Sequence, residues 1–325
     1  MGAIGRRSLG PSGCGRVGLV ESRFASVQQD DSLRTIAVIG AGAVGGAVAA
    51  ALADAGTHDL RVCVRRPVGG LEVRHADGTV VRTSPTVLSD PAQTERADLV
   101  LLATKAYQSE GTAPWLDRLA GPGTIVAVLQ NGIDQVARIQ PLAPHAEIVP
   151  VVVMLAAEVI EPGVIVQSSI GLLEVPDTEA GRRVADAFEG SAVRVDVLAD
   201  FTTRAWRKLL LNAVIGAVGA LTVRDLTVLA DQLVFDAALA LADEVIAVGR
   251  AEGATFAPDA AVRALERAQR SAPGHWSSIA VDRREGRPLE WEVRNAVIGR
   301  LGRRHGIPTP LNDLVTALLQ ACDPR

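Results

Sequence analysis

TIAVIGAGAVGGAVAAALADAG, residues 35–56, decides the fold. Residues 36–39 are apolar and mostly β-branched, the signature of a short buried strand. Gly40, Gly42 and Gly45 follow at GxGxxG spacing. Residues 43–55 are alanine-rich and predict a helix that stops at Gly56, a C-cap signal. Each glycine answers a different demand. Gly40 makes the tight turn, Gly42 lets the backbone approach a pyrophosphate, and Gly45 lets the helix pack closely on the strand. The helix N-terminus adds unsatisfied N–H groups and the positive end of its dipole. In that context Gly40, Ala41, Gly42, Ala43, Val44 and Gly45 read as a dinucleotide-binding turn rather than a glycine-rich loop without a ligand.

Outward from this turn, further strands are expected at 60–64, 99–103 and 124–129, separated by helical or loop segments. Such alternation predicts a doubly wound, mostly parallel sheet. Residues 149–155 and the 163–175 region read as more strands, extending that sheet around a turn at Glu161-Pro162-Gly163. Beyond about residue 200 the pattern becomes helical, at 202–215, 234–252, 259–270, 291–305 and 312–322. The expected fold class is an α/β N-terminal Rossmann domain, residues 34–199, followed by an all-α C-terminal domain, residues 200–325. Residues 1–33 are rich in Gly, Ser and Arg and lack periodicity, so they read as a disordered extension or an overlong start. No apolar core follows their arginines, which argues against a secretory signal.

With 48% hydrophobic and 22% charged residues, the 325-residue chain has material for two cores. A net charge of −4 with no basic stripe gives no reason to expect nucleic acid. Apolar runs such as 149–157 are too short to span a membrane. Cys14, Cys63 and Cys322 are odd in number and widely spaced, and five histidines show no ligand spacing. Neither disulfides nor a metal site is expected, and a reducing cytoplasm fits.

Of the 33 basic residues only two, Lys105 and Lys208, are lysine. A chain that writes arginine wherever a surface charge will do has a chemical use for lysine, which can release a proton near neutral pH. Lys105 follows the strand at 99–103, and Asn131 follows the strand at 124–129. Both therefore sit at the carboxyl ends of strands, where open α/β sheets bind ligands. For Asn131 an ordinary turn residue before Gly132 is an equal alternative. Lys208 and Asn212 are one helical turn apart on a largely apolar helix, and Gly216 continues their face. After the second strand, Arg65 and Arg66 stand where an NAD enzyme would carry an acid, and no acid occurs until Glu72. Two guanidiniums suit a 2′-phosphate, hence NADP(H); solvated surface charge is the alternative.

Taken together, these residues resemble the ketopantoate reductase family from about residue 34 to the C-terminus. The resemblance rests on the glycine turn, Thr104-Lys105-Ala106, Gln130-Asn131-Gly132, and Trp206-Arg-Lys208 with Asn212. It continues through His275-Trp-Ser277-Ser278, Pro288-Leu-Glu290-Trp-Glu292 and the Arg304-His-Gly-Ile-Pro-Thr-Pro310 stretch. It implies NADPH-dependent reduction of 2-dehydropantoate to pantoate. Lys208 would be the general acid, and Glu290 would hold the substrate hydroxyl and assist it. Lys105, Asn131, Asn212 and Ser278 would contact the substrate, with Lys105 and Asn131 beside the cofactor and Arg66 on its 2′-phosphate. A carboxylate at Glu290 near Lys208 would keep that lysine charged. Two positions depart from the family pattern: Gly216 and His275 stand where asparagines are common. They leave open reduction of another branched 2-keto acid. A non-catalytic NADP(H)-binding sensor is the alternative outside catalysis. The helical domain could bury a homodimer surface, though no feature demands one.

Overall fold

The computed structural model describes residues 34–270 and 273–325, so the expected tail at 1–33 lies outside the described residues. In chain order the elements are β1 (Thr35–Ile39), α1 (Ala43–Ala55), β2 (Asp59–Cys63), β3 (Leu71–His75), β4 (Val80–Thr83), β5 (Thr86–Leu88), β6 (Leu99–Leu102), α2 (Ala113–Leu119), β7 (Ile125–Val128), α3 (Gln135–Ile139), β8 (Glu147–Pro150), β9 (Val152–Met154), β10 (Ala157–Glu161), β11 (Val164–Gln167), β12 (Leu172–Pro176), α4 (Glu179–Asp186) and β13 (Arg194–Leu198). Helices follow: α5 (Phe201–Thr222), α6 (Gln232–Ala251), α7 (Ala260–Gln269), α8 (Ser278–Arg284), α9 (Val297–His305) and α10 (Pro310–Ala321).

Six strands form the main sheet in the order β5-β2-β1-β6-β7-β8, and every pairing in it is parallel. Strand order reverses between β1 and β6, which puts the ligand crevice at their carboxyl ends. The alternation of side chains along each strand fills two cores. Ile36, Val38, Leu99 and Leu101 face one way, onto Val48 and Leu52 of α1. Ala37, Ile39, Val100 and Leu102 face the other, onto Trp115, Leu116 and Leu119 of α2. Burial of each large side chain contributes about 1.5–3 kcal/mol. Cys63 belongs to the second core, and burial pushes its thiol up to about 12, so it is inert.

The expected extension of this sheet is instead two smaller sheets. β10-β11-β3-β4 is one, and Ile165 of β11 packs within 2.8 Å of where a Cβ at Gly46 of α1 would lie. β13-β12-β9 is the other. The single strand expected at 149–155 divides at Val151. Edge strand β8 ends at Pro150, which has no N–H for a further neighbour. The 163–175 region divides likewise into β11 and β12. β3 and β4 escaped the sequence reading, although Leu71 and Val73 alternate inward as a half-buried strand should.

The helical part wraps around α5, whose Asp200 side chain caps the Thr203 N–H at 3.1 Å. Leu209, Leu210, Ala213, Val214 and Ala217 of α5 join one core with Leu241 and Val245 of α6 and Val297, Ile298 and Leu301 of α9. This helix runs past the expected end at 215, to Thr222. α8 was not anticipated. The segment expected as one helix over 291–305 opens with a π-helical turn at Glu292–Ala296. Such turns interrupt an α-helix mostly where a site needs a side chain re-aimed.

Candidate active site

Three loops at the carboxyl ends of β1, β6 and β7 meet α5 and the segment around Glu290. The glycine turn comes first. Gly40 has φ +97°, a left-handed conformation that only glycine adopts without strain. A Cβ at Gly45 would lie 1.9 Å from Gly40 O and 2.8 Å from Ala103 Cβ, so helix and strand approach as closely as a glycine allows. A Cβ at Gly42 would meet nothing within 4 Å, which leaves the backbone open to a ligand. As N-cap of α1, Gly42 offers no side-chain cap to the helix N–H groups. Glycine spacing, an open backbone face and an uncapped helix N-terminus all fit a pyrophosphate.

Arg65 and Arg66 follow β2, and both are exposed. Neither has a carboxylate partner among the described residues. Glu72, the next acid in sequence, lies in another sheet and is held by Arg74 at 2.6 Å and Arg82 at 2.8 Å. Those two arginines keep its carboxylate below the ordinary range, although partial desolvation works the other way.

Glu290 ties the second cluster together. It is 2% exposed, a buried carboxylate rather than a solvated one. Its Oε1 accepts from the Ala106 N–H at 3.1 Å, and its Oε2 accepts from Asn131 Nδ2 at 2.9 Å. Lys105 Nζ and Arg294 Nη2 lie 4.0 and 3.5 Å from Oε2. Burial raises the pKa of this carboxyl, but Lys105, Arg294 and the two hydrogen bonds outweigh it and hold the group ionised. Asn131 Oδ1 accepts in turn from Asn212 Nδ2 at 3.3 Å, which links the β7 loop to α5. Lys105 Nζ donates to Asp282 Oδ2 at 2.6 Å. Ser278 Oγ accepts from Arg294 Nη2 at 2.9 Å.

Lys208 differs from every other cation of the site. It lines a small cavity with Asn131, Gly132, Val152 and Asn212. Among the described residues no hydrogen bond or ion pair engages its ammonium. Burial first, then the charges of Arg294 and Arg204, lower its pKa from 10.5 to about 8, against an opposing pull from Glu174. The expected pairing with Glu290 is absent. Glu290 turns to Lys105 and Arg294, and Glu174, itself bonded to Arg204 at 2.7 Å, is the acid that Lys208 feels. A largely buried ammonium poised to release its proton, beside amides able to grip a polar substrate, suits reduction of a carbonyl.

Lys105, Asn131, Lys208, Asn212 and Glu290 thus converge, and Ser278 joins them through Arg294. Arg65 and Arg66 lie apart from them, after β2. Asp282 and Arg294 were missed. A signal existed for Arg294, four residues after Glu290 and on its helical face.

A parallel sheet with an open glycine turn at its switch point, together with a helical wall that carries a largely buried lysine, defines an oxidoreductase with a nicotinamide cofactor. Residues 36–180 match the family described as ketopantoate reductase PanE/ApbA, and residues 200–323 match its C-terminal part. A 2-dehydropantoate 2-reductase of Caulobacter vibrioides is 40% identical over 89% of this chain and 99% of its own length. One of Mycobacterium tuberculosis is 41% identical over 88% and 97%. The crystal structure of a ketopantoate reductase from Ralstonia eutropha superposes with TM-score 0.81 at 30% identity, covering 89% of this chain and 98% of that one. The chain belongs to the ketopantoate reductase family.

Proposed function

We propose that this chain reduces 2-dehydropantoate to pantoate with NADPH, using Lys208 as the proton donor. The observation that carries the reading is the Lys208 ammonium beside Asn131 and Asn212: it has no partner among the described residues, and burial lowers its pKa to about 8. Residues 34–199 are the cofactor-binding domain in this reading, and residues 200–325 supply the helical wall of the active site.

Gly40, Ala41, Gly42, Ala43, Val44 and Gly45 hold the pyrophosphate, and Arg65 with Arg66 hold the 2′-phosphate. The bound cofactor supplies the hydride that adds to the ketone carbon. Lys208 stabilises the negative charge that grows on the ketone oxygen and delivers its proton there, completing the alcohol. Asn131, Asn212 and Ser278 provide donors for the substrate carboxylate and hydroxyl. Glu290 accepts from the substrate hydroxyl and keeps Asn131 and Lys105 in place. Lys105 sits at the meeting point of cofactor and substrate.

A second reading, another branched 2-keto acid, draws on Gly216, where the site lacks an amide. Comparing kcat/KM over a panel of 2-keto acids with NADPH separates the two. The proposal expects 2-dehydropantoate to lead the panel. A better substrate among the other 2-keto acids, branched ones included, would refute the substrate assignment, and binding of NADPH with no turnover on any member would turn the reading to a sensor.

Among the described residues no helix is long and apolar enough to cross a membrane. α10 turns Leu311, Leu314 and Leu318 outward, and a homodimer would cover them.

A further inference from the structure

Arg294 is 1% exposed and the largest of the fully buried side chains, yet no role above requires it. It belongs to the π-helical turn Glu292–Ala296. Nη2 reaches both Ser278 Oγ, at 2.9 Å, and Glu290 Oε2, at 3.5 Å. Nη1 lies against α5, where a Cβ at Gly216 would stand only 3.2 Å from it and 3.2 Å from Ile279 Cγ2. Gly216 keeps ordinary helical backbone, so no turn asks for glycine there. A glycine inside a helix costs about 1 kcal/mol relative to alanine. The guanidinium and Ile279 crowd the position: a Cβ at 216 would press on both, and a larger side chain would need volume that Arg294 fills. Gly216 lies two turns beyond Lys208 on the same face of α5.

We propose that Arg294, seated on the bare backbone at Gly216, is a positioning residue that fixes Glu290 and Ser278 and brings a second positive charge up to Lys208. Gly216 and Arg294 form one co-dependent pair. The proposal rests on Lys208 as proton donor. A guanidinium stays charged at any pH the enzyme meets, so its field on Lys208 is constant. That field helps the ammonium release its proton, and the Glu290 carboxylate with the Ser278 hydroxyl compensates the buried charge. The other charges facing Lys208 are Arg204, one turn earlier on α5, and Glu174 of β12.

With two lysines in the chain, ¹³Cε-lysine NMR of the cofactor-free protein gives two signals, and Lys208→Ala assigns them. In Arg294→Met the Lys208 midpoint moves up from about 8 by roughly half to one unit. The alkaline limb of kcat/KM moves with it, and kcat/KM at neutral pH falls about tenfold or more. Arg294→Lys, which keeps the charge and adds a third lysine signal, restores the Lys208 midpoint. A role in packing alone would lower Tm in Arg294→Met and leave the midpoint in place, which overturns the proposal. Should Arg294→Met not fold, the pair is tested from α5. Gly216→Asn collides with the guanidinium and loses activity, whereas Gly216→Asn with Arg294→Met recovers at least part of it. A double variant no more active than Gly216→Asn overturns the proposal. Turnover retained in Lys208→Ala would instead sink the proton-donor reading. A fixed midpoint beside an inactive Lys208→Ala removes only the role of Arg294.

Discussion

Lys105 Nζ lies 2.6 Å from Asp282 Oδ2, an ion pair between the loop after β6 and helix α8, 177 residues apart in sequence. Asp282 is 4% exposed at its side chain and also accepts from Arg287 Nε at 2.8 Å. The pair closes the crevice from its helical side and fixes Lys105 beside Glu290.

Lys105→Met is expected to destabilise the protein by about 1 kcal/mol, since Lys105 is partly solvated, and Asp282→Asn by more, since it also weakens the Arg287 contact. The double substitution should cost clearly less than the sum, because one contact is removed twice. Denaturant melts of the four proteins check this, and strict additivity would mean that the contact contributes nothing.

The Lys208 ammonium carries a stability cost with a definite sign. Its pKa falls from 10.5 in the unfolded chain to about 8 in the fold, so the unfolded chain binds the extra proton between those values. Stability tied to this group therefore rises with pH across that window, and the full cost applies below it. Lys208→Met should raise stability at pH 7 by about 1–3 kcal/mol while abolishing turnover. It should also flatten the rise between pH 8 and 10. A less stable Lys208→Met protein would contradict the burial argument.

Arg65 and Arg66, exposed and without carboxylate partners, should discriminate cofactors rather than bind them indifferently. Arg65→Ser with Arg66→Ser is expected to raise KM for NADPH about 10–100-fold, the worth of charge-assisted contacts to a phosphate. KM for NADH should change by about twofold or less. Equal losses for both cofactors would remove the 2′-phosphate assignment.

What the sequence disclosed was what local chemistry dictates. The glycine turn was legible because strand, turn and helix are contiguous. Gly56 announced the helix end, and its backbone is indeed left-handed, at φ +67°. Lys105 and Lys208 stood out because lysine is so scarce here. The same habit hid Arg294, one arginine among 31 in the chain. Asp282 sits in a seven-residue helix with too little length for a readable period. Glu290 was found, but its partner was not. Its neighbour Arg294 left a mark on spacing, four residues on, but Lys105, which meets it from the loop after β6, did not. Strands β3 and β11 pair across some 90 residues, a long-range choice that hydrophobic pattern alone does not fix.

Proton delivery from Lys208 is tested most directly by single-turnover reduction of 2-dehydropantoate in Lys208→Ala, with NADPH binding measured in parallel. The account predicts NADPH affinity within about threefold of the unsubstituted protein and a hydride-transfer rate lower by about a thousandfold or more. A rate within about tenfold, at unchanged affinity, would contradict it.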